Sequence, residues 1–226
     1  MLTSLTSTRD TGSRSNGNEF GLRSVYLGVI VGSADALPEG TSMTSPVSVA
    51  SALPTGTWAI DPVHSSVGFS VRHLVVSKVR GQFDTFSGTI TVAEDGTPAV
   101  TAEIAVDSVN TRNEQRDAHL RAADFFDVEN HPVATFASTA VRADGDRYVL
   151  DGDLTLKGVT KPISLTLEFN GVNPGMGHGE VAGFEASVVL NRKDFGIDID
   201  MPLETGGAVV GDKVTITLEI EALKQA

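Results

Sequence analysis

Alternating apolar and polar residues, in short runs separated by turn residues, fill the chain from Trp58 almost to its C-terminus. Residues 163–169 and 214–221 are two clear examples, with an apolar side chain at every second position. Successive side chains of a β-strand point to opposite faces, so these runs predict strands with one buried and one solvated face. Turn sequences such as 94–96 (Glu-Asp-Gly) and 173–175 (Asn-Pro-Gly) favour antiparallel hairpins. The pattern restricts this region to an all-β sandwich or barrel.

One segment departs from this period of two. From about Asn113 to Ala123 the residues favour a helix, and Leu120 is its main apolar side chain. The helix cannot continue through His131-Pro132, since the residue before a proline disfavours the helical conformation. We predict one short α-helix in an otherwise all-β chain.

The first 55 residues are rich in Ser, Thr, Gly and Asn and show no sustained period, which is typical of a disordered arm. We therefore divide the chain into a leader, 1–55, and a single barrel domain, 56–226. Translation from Met43 instead of Met1 would remove most of this leader. The apolar stretch 25–31 precedes an Ala-x-Ala sequence at 34–36 and has some features of a signal peptide. We expect a cytoplasmic protein, or a secreted or envelope protein if this stretch acts as a signal.

Composition excludes several classes of function. The formal net charge is −12, so the summed field repels nucleic acid and anionic headgroups. The chain lacks cysteine, which excludes disulfides, zinc-thiolate sites and iron–sulfur clusters. It has no run of about 18 apolar residues, so we expect no stable membrane insertion.

Periodicity alone does not distinguish a sandwich from a barrel, or a filled barrel from a hollow one. Closing the sheet removes edge strands that would otherwise aggregate, and an eight-stranded barrel can hold one small ligand. The inward residues are nearly all Val, Ile, Leu and Phe, so a lumen would suit an apolar chain. An alternating apolar face is far more often part of an ordinary core than the wall of a ligand pocket.

Six sequence segments, spread over about three quarters of the chain, together resemble the YceI-like family of lipocalin-like, polyisoprenoid-binding proteins. They are 60–73, 79–83, 116–120, 124–132, 154–162 and 191–196. The resemblance implies an eight-stranded, lipocalin-like antiparallel barrel with a helix beside it. It also implies an isoprenoid or another long-chain lipid in an elongated pocket, with no covalent cofactor.

On this basis we predict a non-enzymatic carrier or storage protein for a long-chain amphiphile. Aromatic side chains contribute large apolar areas to a pocket, and an arginine at its mouth could receive a phosphate head. The predicted ligand-binding residues are Phe69, Phe83, Phe136, Leu154, Phe184, Arg72 and His119. For most arginines an ordinary ion pair is the simpler expectation, such as Arg116 with Asp117 or Glu114 and Arg192 with Asp194.

The histidines match no zinc-binding spacing, and no serine lies in the sequence context of a catalytic triad. We therefore predict no metal site and no catalytic residue, and expect His64 to contact Asp61 and His119 to contact Asp117. Two alternatives stay open: a protein-interaction module with a filled lumen, and an enzyme with His64 or His119 as base. A free strand edge or the helix face also leaves a homodimer open.

Overall fold

The computed structural model describes residues 53–199, apart from 176 and 178, and residues 209–226. The arm and start-site predictions thus fall almost entirely outside the described residues. The helices are α1 (Glu114–Arg121) and two 3-10 helices (Val106–Ser108 and Arg192–Phe195). The strands are β1 (Gly56–Ile60), β2 (Ser66–His73), β3 (Ser77–Phe83), β4 (Phe86–Val92), β5 (Pro98–Ala105), β6 (Val109–Asn110), β7 (Val133–Asp144), β8 (Arg147–Leu156), β9 (Val159–Asn173), β10 (Val181–Asn191) and β11 (Val210–Lys224).

Eight of these strands form a closed antiparallel barrel, in the order β1-β4-β5-β7-β8-β9-β10-β11 with β11 returning to β1. The predicted eight-stranded barrel is therefore confirmed, and the described residues contain a single short α-helix, as predicted. The length of β11 makes closure possible. One of its edges pairs with β10, and the other edge is long enough to pair with two strands. Residues 222–224 pair with β1, and residues 210–219 pair with β2. Strands β3 and β6 extend the sheet outward from β2.

The best-buried core lies where β1 closes the barrel. Trp58 on β1 is fully buried, and its indole N–H donates to the Pro54 carbonyl at 3.1 Å. Leu53, just before the strand, is also buried and joins the same cluster. The other buried members of the cluster are Ile90, Val92, Ala182, Phe184 and Ala222. An indole buried with its N–H satisfied contributes a large apolar area to the core.

Glycines inside the strands make room for phenylalanine rings. A Cβ at Gly81 would lie 2.5 Å from Cζ of Phe69, and a Cβ at Gly152 would overlap the Phe136 ring. The β2–β3 register is continuous from Val67 to His73, so Gly81 marks no bulge. The sheet is irregular opposite Gly152, between Ser138 and Ala140. These glycines therefore mark close packing of rings against backbone.

Helix α1 coincides with the predicted helical segment. The side chain of Asn113 caps its N-terminus by accepting from the Arg116 N–H at 2.9 Å. Asp117 is buried and accepts from the Thr111 N–H at 2.9 Å. The guanidinium of Arg121 donates to the Val109 carbonyl at 2.8 Å. The helix is thus fixed to the segment before it by its polar side chains.

Candidate functional site

An apolar cavity of about 300 Å³ occupies the barrel interior. Its walls come from all eight strands of the barrel and from β2 and β3. Its lining includes the aromatic residues Phe69, Phe83, Phe86, Phe125, Phe126, Phe136, Phe184 and Phe195. Ser87 and Arg192 are the only polar residues in the lining among those that the structure describes. Such a surface favours an apolar occupant.

Five of the predicted ligand-binding residues line this one cavity: Phe69, Phe83, Phe136, Leu154 and Phe184. Several rings contact one another, with 5.7 Å between the centroids of Phe69 and Phe83 and 5.9 Å between those of Phe83 and Phe126. The row of rings joins β2, β3 and the segment after α1. Whether these residues contact a ligand stays a prediction.

Arg72 and His119 are not brought to the cavity lining. Arg72 is exposed on β2, and its register partner on β3 is Lys78. His119 is half exposed, and its ring lies edge-on to Phe125 with 4.8 Å between centroids. Their assignment as ligand-binding residues therefore stays a prediction about groups outside the lumen.

The predicted contact between His119 and Asp117 is wrong. His119 Nε2 lies 3.0 Å from Asp124 Oδ2, and this hydrogen bond lowers the pKa of Asp124 below its ordinary value. Asp117 instead accepts from the backbone and hydroxyl of Thr111 on the other side of the helix. Arg116 forms neither predicted ion pair, because its Nε donates to Thr111 Oγ1 at 2.7 Å.

Arg192 is the polar residue of the lining that sequence reasoning misjudged. Its side chain is 5% exposed, and it pairs with Asp212 at 2.9 Å and not with the expected Asp194. Its guanidinium also donates to the carbonyls of Ile197 at 2.6 Å and Gly211 at 3.2 Å. The segment 191–196 is one of those that carry the family resemblance, but the local sequence does not reveal the partners of Arg192. Ile197, Gly211 and Asp212 lie 5, 19 and 20 residues further along the chain. Arg192 therefore holds the start of β11 against the 3-10 helix after β10.

Three of the sequence segments that carry the family resemblance meet at this end of the barrel. The turn between β8 and β9 is Lys157-Gly158, and both residues have positive φ, at 50° and 72°. Lys157 Nζ donates to the carbonyls of Ala123 and Gly196, each at 3.1 Å. A Cβ on Gly158 would lie 2.7 Å from the His131 ring. These contacts fasten the segment after α1, which carries Phe125 and Phe126, across the barrel end.

Outside the cavity, Asp61, His64 and Glu221 form a cluster of possible ligand atoms within 4.8 Å of one another. The predicted contact between His64 and Asp61 is confirmed at 2.8 Å, and Glu221 lies 3.5 Å from the same nitrogen. The sequence alone does not place Glu221 beside His64, because β11 is far from β1 and β2 along the chain and meets them only in the folded barrel. Ser65 also accepts from the Glu221 N–H at 2.9 Å. The cluster fastens the β1–β2 connection to β11.

We expect the pKa of His64 to fall in the Asp61→Asn variant. The pKa of His64 lies above its ordinary value, chiefly through its hydrogen bond to Asp61 and then through the charge of Glu221. Asparagine keeps the oxygen that accepts from the Val63 N–H but loses the charge. NMR titration of the His64 ring protons measures this effect. Glu221→Gln is the control and should produce a smaller fall, whereas an unchanged midpoint in Asp61→Asn would contradict the assignment.

The same shifts set the pH window in which the pair stabilises the fold. Because the pKa of His64 is higher in the folded chain than in the unfolded chain, its protonation stabilises the fold. This stabilisation is complete below the unfolded-state pKa of about 6.5 and is lost as the pH rises through the folded-state pKa. The pKa of Asp61 is lowered by His64, so its contribution is present above about 3.9 and is lost as pH falls through the folded value. The pair therefore stabilises most between these two limits.

Comparison with known proteins identifies the family. The sequence profile described as the YceI-like domain matches residues 58–222, from β1 almost to the end of β11. The chain belongs to the YceI-like family. A UPF0312 protein of Pseudomonas aeruginosa is 38% identical over 164 residues, covering 72% of this chain and 83% of the relative. A UPF0312 protein of Staphylococcus aureus is 38% identical over 168 residues, covering 73% and 95%.

Solved structures show the same YceI-like fold. The Campylobacter jejuni YCEI protein is 29% identical with a TM-score of 0.57, covering 69% of this chain and 90% of that one. Burkholderia cenocepacia BcnA, at 21% identity, gives 0.60 with coverage of 72% and 98%. A polyisoprenoid binding domain from Saccharophagus degradans, at 17%, gives 0.59 with coverage of 74% and 98%. No helix in the described part of the chain is long and apolar enough to cross a membrane.

Proposed function

We propose that this YceI-like chain binds a long-chain amphiphile, polyisoprenoid or fatty-acid-like, in its barrel and carries or stores it without chemical change. The observation that supports this most is the apolar cavity in the barrel interior. The proposed binding domain is residues 56–226. The Saccharophagus degradans neighbour is described as a polyisoprenoid binding domain, which supports the same ligand class. Within the described residues, no carboxylate, histidine or lysine lines the cavity, which argues against acid–base catalysis there.

The cavity size limits how much of a chain can be enclosed. At about 30 Å³ for each small group, as for a water molecule in the liquid, about 300 Å³ holds roughly ten carbon-sized groups. Burial of each methylene contributes about 0.8 kcal/mol, so ten contribute about 8 kcal/mol before the loss of translational and rotational freedom. We propose that a chain of this length fits as the cavity stands, and that a longer chain projects from it.

The proposed contacts with the apolar chain are Phe69, Phe83, Phe136, Leu154 and Phe184. Arg72 and His119 lie outside the lining, so in this proposal they meet only a head group that projects from the barrel. Because Arg192 already donates to Ile197 and Asp212, we do not assign it to a phosphate head. The specificity of the site then comes mainly from chain length and shape.

Native mass spectrometry of protein purified without detergent tests this function. We expect a discrete adduct, and organic extraction should release a lipid with an apolar chain. Delipidated protein should bind a farnesyl or decanoyl probe stoichiometrically in solution. An unadducted mass that persists after addition of polyprenyl phosphates and fatty acids would overturn the proposal and favour a protein-interaction module.

A further inference from the structure

The tip of the β2–β3 hairpin presents three adjacent apolar side chains to solvent. Leu74, Val75 and Val76 are 40%, 61% and 83% exposed. Single exposed apolar residues are common on protein surfaces. Three consecutive ones form a patch of the kind that marks an interaction site. The turn between two strands is usually built from polar residues and glycine, so this composition is unusual for a solvated turn.

The backbone of the tip is held in a conformation that these residues disfavour. Leu74 and Val75 have φ values of 51° and 64°, in the left-handed region, where a β-branched residue is a true outlier. The Leu74 N–H donates to the Val209 carbonyl at 2.9 Å, and Ser77 Oγ donates to the His73 carbonyl at 3.2 Å. Strain of this kind is concentrated at functional sites, where surrounding contacts maintain it.

The outer face of the same hairpin is basic in an acidic protein. None of the residues 66–83 is acidic, whereas the whole chain carries 29 Asp and Glu residues. Arg72, Lys78 and Arg80 are all exposed on this face. Among the described residues none of the three has a carboxylate within 4.0 Å. Arg72 and Lys78 are also direct register partners, and like charges in that position repel unless an anion lies nearby.

The tip lies beside one end of the cavity. Val71, three residues before Leu74 on β2, lines the cavity. Val210 also lines it and follows Val209, which accepts the hydrogen bond from Leu74. A surface that covers the tip therefore lies within a few residues of the lumen.

We propose that the Leu74-Val75-Val76 tip, with the basic face of Arg72, Lys78 and Arg80, docks on the surface of a bilayer that contains anionic lipids. The apolar side chains enter the interface while the cations meet the headgroups, as in peripheral membrane binding through combined apolar and basic contacts. A soluble polyanion would leave the apolar tip unused. The net charge of −12 opposes approach at long range, but beyond a Debye length this repulsion is screened and the local cations dominate at contact.

The experiment is vesicle co-sedimentation with the full chain, using phosphatidylcholine vesicles with and without phosphatidylglycerol. We expect binding that requires phosphatidylglycerol and falls at least tenfold between about 0.1 M and about 1 M salt, where the Debye length shortens from about 10 Å to about 3 Å. Val75→Ser/Val76→Ser should lower the affinity at least tenfold. Arg72→Gln/Lys78→Gln should lower it as much and remove most of its salt dependence.

Matched variants separate a local effect from a general one. Val63 and Val189 are 81% and 58% exposed elsewhere, so Val63→Ser/Val189→Ser removes the same two side chains from other surfaces. Arg147→Gln/Lys161→Gln removes the same charge. Both controls should bind as the wild type does. Equal losses in controls and tip variants, or wild-type binding no stronger with phosphatidylglycerol, would overturn the proposal.

Vesicle binding does not depend on the carrier function. Docking is measured without a cavity ligand, and uptake of a decanoyl probe is measured without vesicles. Wild-type protein that sediments with anionic vesicles but takes up no probe would contradict the carrier function alone. Protein that takes up the probe but ignores vesicles would contradict docking alone. Sedimentation velocity adds one outcome: a dimer that Val75→Ser/Val76→Ser dissociates would assign the tip to self-association and overturn docking.

Discussion

Replacing Ala186 by tryptophan should lower the affinity for a long-chain ligand roughly fiftyfold while the barrel stays folded. Ala186 lies on β10, lines the cavity, and has Leu167 and Leu218 as its register partners on both sides. An indole at this position extends into the lumen and removes space for about three methylene groups. At about 0.8 kcal/mol each, the loss is about 2.4 kcal/mol, which corresponds to the fiftyfold change. Titration of delipidated protein with a decanoyl probe measures it.

The control for this variant is Ser187→Trp on the same strand. Ser187 is exposed and follows Ala186 directly, so its side chain points away from the lumen. The Ser187→Trp variant should keep the probe affinity within about twofold of wild type, a difference of less than about 0.5 kcal/mol. Urea unfolding of both variants checks the fold. Wild-type affinity in a folded Ala186→Trp would place the ligand outside the cavity and contradict the carrier function.

Strand parity explains why much of the lining could be predicted. Phe69 shares parity with Val67 and Val71, and Phe184 with Ala186 and Val188, so alternation alone assigns them to one face. The same parity argument places Arg72, one residue after Val71, on the outer face. The prediction of Arg72 as a ligand-binding residue went against that signal, because it followed the chemistry of a phosphate head. The structure has it exposed, as parity requires.

Contacts between distant segments could not be predicted from the sequence. The barrel closes where Trp58 of β1 pairs with Lys224 of β11. The rest of the same edge of β11 pairs with β2. Nothing local in either segment determines that register. Glu221 beside His64 follows from the same pairing. Asp194 and Asp117 were chosen as partners because they are close in sequence, yet neighbours along a 3-10 or α-helix need not face one another.

Replacing Arg192 by methionine should destabilise the folded chain by about 3 kcal/mol. Methionine keeps an apolar stem of similar length for the cavity wall but donates no hydrogen bond. The carbonyls of Ile197 and Gly211 then lose their donor, and an unsatisfied buried acceptor costs about 1–3 kcal/mol. Asp212 also loses its ion pair with Arg192. Its side chain is 45% exposed and lies 3.4 Å from Lys193 Nζ, so solvent and Lys193 reduce the free-energy cost of this loss.

Two further variants separate hydrogen bonding from charge at this site, with the free energy of unfolding in urea as the measurement. Arg192→Lys keeps the charge, but one ammonium group cannot reach three acceptors that the planar guanidinium spans, so it should recover less than half of the loss. Asp212→Asn removes the charge of the exposed partner and should lower stability by at most about 1 kcal/mol. A folded Arg192→Met within about 0.5 kcal/mol of wild type would show that solvent replaces the guanidinium. If Arg192→Met does not fold, full recovery in Arg192→Lys would instead show that charge, and not the geometry of the donors, holds the start of β11 in place.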